Sequence, residues 1–312
     1  MNTLQKRPLS IIMSGLIAEL EALNIKKECC VSLKRYSTFS IGGTGDVAVF
    51  PQSRNELASA VGLAKKYNIP YEVIGRGSNV LFPDDGYRGM IIFTSCMRQI
   101  HISDDGIIYA DAGENITSLS MKAANAGLSG LEFACGIPGS CGGAVYMNAG
   151  AYGGEISDVL AYSEYYDTTE KTFKHLSASE HDFSYRHSIY ADTPGMIITG
   201  AAFKLERENV SLIKERMNEY NKKRQSSQPH EYPNAGSIFK RPTNGYAAKM
   251  IDDCGLKGLT VGGAQVSEKH AGFIVNKGGA TAENVLELIS EIKDRVRASF
   301  GVELECEIKI IK

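Results

Sequence analysis

Apolar residues at Ile12, Leu16, Leu20 and Leu23 recur at helical spacing with Glu19 and Glu21 between them, which predicts an amphipathic N-terminal helix. A short strand is expected at 47–50. Ser53 and Glu56 then form a capping-box pattern ahead of a helix running to about Tyr67. Ile69 and Pro70 end that helix, and Tyr71 to Ile74 reads as a second strand, giving a βαβ unit. Strands follow at 90–93, 100–103 and 107–110, the last two across the hairpin signal Asp104, Asp105, Gly106. A helix from about Ile116 to Ala126 is closed by Gly127. Strands at 159–166 and 196–205 flank a polar segment containing FSYRHS, residues 183–188. Beyond Glu206 a charged helix capped by Asn209 reads as a boundary element over 210–225. A short helix at 247–254, a turn at Gly262 and Gly263, a strand at 273–275 and a helix from Thr281 to Phe300 come next. Val302 to Ile311 alternates strictly, which predicts a closing strand with Leu304, Cys306, Ile308 and Ile310 on one face and Glu303, Glu305, Glu307 and Lys309 on the other.

Two stretches break this periodicity. Gly136 to Glu155 reads GIPGSCGGAVYMNAGAYGGE, seven glycines in twenty residues with a charge only at its end. Such a run excludes an ordinary amphipathic helix and suggests main-chain N–H groups laid against a bulky anionic ligand. A tightly wound loop that merely packs has the same composition. The second stretch, GRGSN at 75–79, directly follows a predicted strand, where open α/β sheets tend to place ligands. It is not the dinucleotide fingerprint: Val80 stands where the third glycine would be, and no helix opens there.

Composition narrows the partners. With 312 residues, 34 basic against 36 acidic side chains and a net charge of −2, the chain has no basic field for nucleic acid or an anionic membrane. Lys6 and Arg7 ahead of an apolar run superficially resemble a signal peptide, but no small-residue cleavage site follows. Seven cysteines, Cys29 and Cys30 adjacent, show no CxxC spacing, so reduced thiols in a cytoplasmic protein are expected and no metal site. On pattern alone Ser237 is a turn serine, Arg186 a solvated arginine and Glu307 one of three carboxylates on an exposed strand.

Taken together, YSTFSIGG, GRGSNVL, IPGSCGGAVYMNAGAYGGE, YRHS, PNAGSIFK and LECEIKII occur here in the order seen in the UDP-N-acetylenolpyruvoylglucosamine reductases of peptidoglycan synthesis, which the chain resembles from about Lys34 onward. The resemblance implies an α+β chain with an FAD-binding fold of the PCMH type, shared with the vanillyl-alcohol-oxidase-like flavoproteins, followed by a C-terminal substrate domain. It implies non-covalent FAD, NADPH as hydride donor and a UDP-sugar carrying an enolpyruvyl ether as substrate. The corresponding division is a helical extension at 1–33, a flavin domain at 34–206 in two parts (34–90 and 91–206), and a substrate domain at 207–312.

By motif, the resemblance places catalytic roles on Arg186, Ser237 (proton donor) and Glu307. It assigns the flavin to Gly75, Arg76, Gly77, Ser78 and Asn79, and to Gly136, Pro138, Gly139, Ser140, Gly142, Gly143, Asn148, Gly150 and Ala151. Substrate contacts fall on Tyr185, Arg186, Asn234, Lys240 and Arg241, the last standing where some members carry Asn. An ionised Glu307 beside a developing enolate would repel it, so this carboxyl is expected to be protonated or paired with Arg186. A side chain forced onto Gly139 or Gly142 is expected to weaken flavin retention before it unfolds the protein. The long tyrosine-bearing insertion of one subtype is missing; Tyr162, Tyr165 and Tyr166 could partly replace it, although core packing suits them better. An oxidase of the same flavin fold and a catalytically silent nucleotide-binding module are the alternatives.

Overall fold

The computed structural model describes residues 9–312, with side chains from Ile12 onward, so Lys6 and Arg7 lie outside the described residues. Three sheets of four or five strands, each with its own helices, follow one another along the chain, with three two-stranded pairs besides. The first unit opens with helix α1 (Leu9–Ala22), whose Leu16 and Leu20 are buried while Leu23, just past its end, is half exposed. Strand β1 (Lys27–Ser32) comes next, a short, charged segment whose composition carries no strand signal. Then come β2 (Thr44–Val49), α2 (Arg54–Lys66), β3 (Tyr71–Ile74), β4 (Val80–Leu81) and β5 (Tyr87–Phe93). At the start of α2, Ser53 Oγ accepts the Glu56 amide at 3.2 Å, as the capping pattern predicts, while Glu56 reaches back one residue further than that pattern implies, to the Gln52 amide at 3.0 Å.

The order in the first sheet is β1-β2-β5-β3, with parallel pairing at β2–β5 and β3–β5. Its strands are apolar on both faces because both are covered. Val47, Val49, Met90 and Ile92 meet α1 and α2, whereas Ala48, Ile91 and Phe93 turn to a second core with Val31, Leu33 and Phe82.

The middle unit is antiparallel: β6 (Ile100–Ile102), β7 (Ile107–Asp111), β8 (Leu160–Asp167), β9 (Thr172–Ser177) and β10 (Met196–Lys204), in the order β9-β8-β10-β7-β6. Helices α3 (Ile116–Asn125) and α4 (Cys141–Tyr146) pack on it through Ile116, Leu119, Cys141 and Val145. The glycine-rich stretch thus does contain a helix, one and a half turns long. Tyr165 and Tyr166 are buried, and none of Tyr162, Tyr165 and Tyr166 lines either of the two cavities described below, which fits core packing. Helix α5 (Ile189–Asp192) precedes β10, and α6 (Val210–Ser227) packs through Ile213 and Met217 on Ala124 and Cys135. The boundary helix therefore belongs to the middle unit, and we propose to draw the domain division after it rather than at 206.

The last unit comprises β11 (Asn234–Ser237), α7 (Ala247–Asp253), β12 (Thr260–Val261), β13 (Ala264–Val266), β14 (Phe273–Asn276) and α8 (Ala282–Phe300). Its sheet order is β11-β14-β13-β12. Its core takes in Phe39, Ile41 and Leu81 of the first unit. Only Lys309–Ile310, β15, of the predicted closing strand is regular. Residues 302–308 run beside Ile238–Lys240, bonded through Lys240 N to Glu305 O and Glu307 N to Ile238 O. The chain then crosses to the first unit, where Lys309 and Ile310 pair parallel with Val80 and Leu81. Changing partners midway, it has no single exposed face for the three glutamates to share.

The N-terminus of α8 is also tied to the first unit: Asp84 accepts the amides of Ala282 (2.8 Å) and Glu283 (3.0 Å). A carboxylate there satisfies two orphan donors and the helix dipole. Asp84→Ala should lower stability by about 0.5–2 kcal/mol, read as a shift of the urea midpoint at unchanged slope, while Asp84→Asn recovers much of it.

Candidate active site

One cavity of about 790 Å³ lies where the three units meet. That volume falls within the usual range for a small-molecule or cofactor site. Gly75 to Asn79 form one wall; Gly136, Pro138, Gly139, Ser140, Gly142 and Gly143 form the facing one, with Gly150 and Ala151 beside it. Arg186, Ser237 and Glu307, far apart in sequence, all reach this cavity.

Arg186 sits in a tight turn in which Ser184 and His187 bond each other's backbones at 3.3 and 3.2 Å. Its φ is 57°, a left-handed conformation that glycine would adopt without strain. Holding arginine there costs about 1–3 kcal/mol, and such outliers concentrate at functional sites. The guanidinium is fixed on three sides: Nε donates to Glu307 Oε1 at 2.9 Å, Nη2 to Gly150 O at 3.0 Å and Nη1 to Asn148 O at 3.5 Å.

Glu307 is consequently not a surface carboxylate. Its side chain is 15% exposed, whereas Glu303 and Glu305 are outside, paired with Arg297 and Lys240. Burial pushes the Glu307 carboxyl above the usual range, opposed by the charge and hydrogen bond of Arg186 and by Lys240. Both expected devices, raised affinity for a proton and pairing with Arg186, act on the same group.

Ser237 ends β11 just after Gly236, whose φ of 78° goes with a register irregularity against β14. Such a bulge re-aims the following side chain. No hydrogen bond of the Ser237 hydroxyl occurs among the described residues, so its proton is not committed elsewhere in the chain.

Asn234, expected to touch substrate, lines the cavity but uses its side chain on the local backbone. Nδ2 donates to Pro229 O and Tyr232 O at 3.0 and 2.9 Å, and Oδ1 accepts the Gly236 amide at 3.0 Å. Its observed work is to shape the turn that presents Ser237. Tyr185, Lys240 and Arg241 line a neighbouring cavity of about 410 Å³. There the Tyr185 ring lies between two guanidinium groups, 4.9 Å from Arg186 and 5.6 Å from Arg241.

The glycine-rich walls suit a large anionic cofactor, though not in the way composition suggests. The amides of Arg76, Gly77, Ser78 and Asn79 meet no acceptor among the described residues. Gly77 holds φ at 65°, and a Cβ there would lie 1.9 Å from Tyr36 O. A Cβ on Gly139 would stand 3.4 Å from Ser78 Oγ, so the two loops face each other closely. In α4, by contrast, the amides of Cys141, Gly142 and Gly143 are taken by Glu114 O, Ala112 O and Ser140 Oγ. These glycines serve packing. A Cβ on Gly142 would meet the Ala112 Cβ at 2.9 Å, on the protein side. Asn148 does not line the cavity: it is fully buried and bonds Glu155, Ser184 and Ser157, pinning the loop. Asn79, assigned only to the flavin, also donates to Glu307 O at 3.0 Å and so ties the glycine loop to the acid.

Two family models match the chain: "FAD binding domain" over residues 45–174 and "UDP-N-acetylenolpyruvoylglucosamine reductase, C-terminal domain" over 228–311. The UDP-N-acetylenolpyruvoylglucosamine reductase of Clostridium novyi (strain NT) is 42% identical over 94% of this chain and 95% of that protein. That of Pediococcus pentosaceus is 45% identical over 89% and 92%. The chain belongs to the UDP-N-acetylenolpyruvoylglucosamine reductase family. Among solved structures, the family's enzyme from Thermus caldophilus superposes with a TM-score of 0.78 at 36% identity, covering 92% of this chain and 99% of that one. The expected α+β order, FAD-binding fold first and C-terminal domain last, is that of this reductase family. No helix among the described residues is long and apolar enough to cross a membrane.

Arg224, also in the cavity wall, has no counterpart among the sequence-based assignments. It lies on a helix whose many charges mask any one of them.

Two measurements test these placements. Gly142→Val should overpack the contact with Ala112 and lower stability by about 1–3 kcal/mol with or without flavin, whereas Gly139→Ala stays near wild type. This replaces the expectation of selective flavin loss at Gly142. For Glu307, the folded state holds the proton more tightly than the unfolded chain, so its contribution to stability declines as pH rises from the usual carboxylate range through its raised value. Thermal midpoints from pH ~4 to ~8 should therefore show wild type losing ground to Glu307→Gln as pH rises; the opposite slope would contradict the raised pKa. Glu303→Gln and Glu305→Gln should stay within about ±0.5 kcal/mol.

Proposed function

We propose that this chain, acting in the cytoplasm, uses FAD and NADPH to reduce UDP-N-acetyl-3-O-(1-carboxyvinyl)-glucosamine to UDP-N-acetylmuramate for peptidoglycan synthesis. The observation that carries the assignment of roles is the convergence of Arg186, Ser237 and Glu307 on the cavity between the two glycine loops. A silent binding module would gain nothing from a strained arginine and a buried carboxylate held there, and membership of this reductase family speaks against an oxidase.

FAD held between the glycine loops would supply, once reduced by NADPH, the hydride for the terminal alkene carbon of the enolpyruvyl ether. Negative charge then develops on the α-carbon and spreads into the substrate carboxylate. Arg186 meets it with a guanidinium already oriented by Glu307, Gly150 and Asn148, so little reorganisation accompanies the charge development. Ser237 Oγ–H delivers the proton to the α-carbon, completing addition of one hydride and one proton across the double bond, and is reprotonated before the next turnover. Glu307 orients Arg186 through their 2.9 Å contact, and its burial, by favouring the protonated carboxyl, lessens repulsion of the enolate. Lys240 and Arg241, beside Tyr185, are positioned to receive the diphosphate of the UDP-sugar.

Ser237→Ala separates the two halves of turnover. NADPH should bleach the flavin absorbance at nearly the wild-type rate, since that half-reaction needs no proton on an enolpyruvyl carbon. Recovery of the absorbance on adding substrate should slow by ~10² to 10⁴, the usual worth of a positioned general acid. Cysteine at 237 should restore part of the loss. Full-speed recovery in Ser237→Ala, followed by stopped flow, would remove the serine from the mechanism.

A further inference from the structure

Arg224 lies in the last turn of α6 and is 9% exposed. Nη1 donates to Gln228 Oε1 at 3.2 Å, and the guanidinium carbon sits 5.7 Å from the ring of Tyr152, itself stacked on Tyr220 at 4.7 Å. Its buried Nε has no acceptor. No ion pair among the described residues includes it. A guanidinium taken out of water without a counter-charge is costly, and natural interiors seldom leave one so.

The surroundings favour its approach to the cavity. A Cβ on Gly136 would lie 2.8 Å from both Cδ and Nε of Arg224, so the glycine is what admits the side chain to the wall. The charged side chains lining the cavity, histidine apart, are Arg76, Arg186, Arg224, Lys309, Glu72 and Glu307. Arg186 pairs with Glu307 at 2.9 Å and Lys309 with Glu72 at 2.7 Å. Arg76 and Arg224 have no ion-pair partner among the described residues. A dinucleotide diphosphate carries one negative charge per phosphate, which balances these two cations.

We propose that Arg224 is an anchoring residue for the diphosphate of FAD, with its guanidinium donating to a phosphate oxygen. The ring of Tyr152, stacked on Tyr220, packs against the guanidinium and Gln228 holds Nη1, leaving Nη2 without an acceptor among the described residues. The inference rests on the cofactor assignment above and adds a residue from outside both glycine motifs. It also gives α6 a purpose beyond packing.

The test uses the full chain, as holoenzyme and after flavin removal, with Arg224→Gln and Arg224→Lys. The dissociation constant for FAD should rise roughly ten- to hundred-fold in Arg224→Gln and less in Arg224→Lys, which keeps the charge but not the planar donor. Riboflavin, which shares the ring system but has no phosphate, should bind wild type and variants equally. The thermal midpoint of flavin-free Arg224→Gln should be no lower than that of flavin-free wild type, because the substitution removes an unpaired buried charge. FAD binding within about twofold of wild type would overturn the proposal. So would equal weakening of FAD and riboflavin with a lowered midpoint or failure to fold, the signature of a structural arginine. Unchanged FAD binding with weakened NADPH or UDP-N-acetylglucosamine binding would also overturn it by assigning the anion to another ligand. Wild type that binds no flavin would defeat the cofactor assignment itself, a different result from any of these.

Discussion

The ion pair between Arg186 and Glu307 is the contact on which the architecture of the site depends. Its two members come from different units, and each is held by a further segment: Arg186 by the carbonyls of Asn148 and Gly150, Glu307 by the carbonyl of Ile238 and the side-chain amide of Asn79. The pair therefore closes only when the C-terminal segment has run past Ile238–Lys240 and turned to join Val80 and Leu81. Breaking it would leave a mostly buried charge on either side, which is more damaging than the pair is stabilising. Its value lies in placing a guanidinium and a carboxyl at one fixed point of the cavity.

That placement is obtained against local preference. Arg186 occupies a turn position suited to glycine, and Glu307 sits where burial disfavours its charge. Each is tolerated because the surrounding bonds over-determine it. Asn148 and Asn234 belong to the same economy: neither side chain is free for a ligand, yet one pins the loop whose carbonyls hold Arg186 and the other shapes the turn before Ser237. Removing either would be felt at the reacting centre through a displaced backbone.

Glycine serves more than one end here. At 77 it allows a left-handed backbone against Tyr36; at 136 it admits Arg224; at 142 it lets α4 lie on Ala112. Small size coincides with amides that meet no acceptor among the described residues in the 76–79 loop and at Gly136, Gly139 and Ser140. A diphosphate recognised by those amides and by two unpaired arginines would be gripped from the first and middle units at once, stiffening the junction that the Arg186–Glu307 pair also spans.

Local features of the chain were legible without coordinates because they follow from short-range rules. The caps at Ser53 and Asn209 and the bounds of the helices at 54–66, 116–125, 210–227, 247–253 and 282–300 lie within a residue or two of expectation. The six ordered motifs sufficed for the family, the cofactor and the three candidate catalytic residues. What the sequence could not contain is the identity of each residue's partner. Glu303, Glu305 and Glu307 look alike at period two, and only the turn of the tail from Ile238 toward Val80 sends the third inward. Gly142 resembles a ligand-facing glycine until Ala112 is found beside it. Arg224 is one charge among many on α6 until the packing of that helix buries it without a counter-ion. Burial and pairing are properties of three-dimensional neighbours separated by as many as 237 positions, as Glu72 and Lys309 are, and no local pattern encodes them.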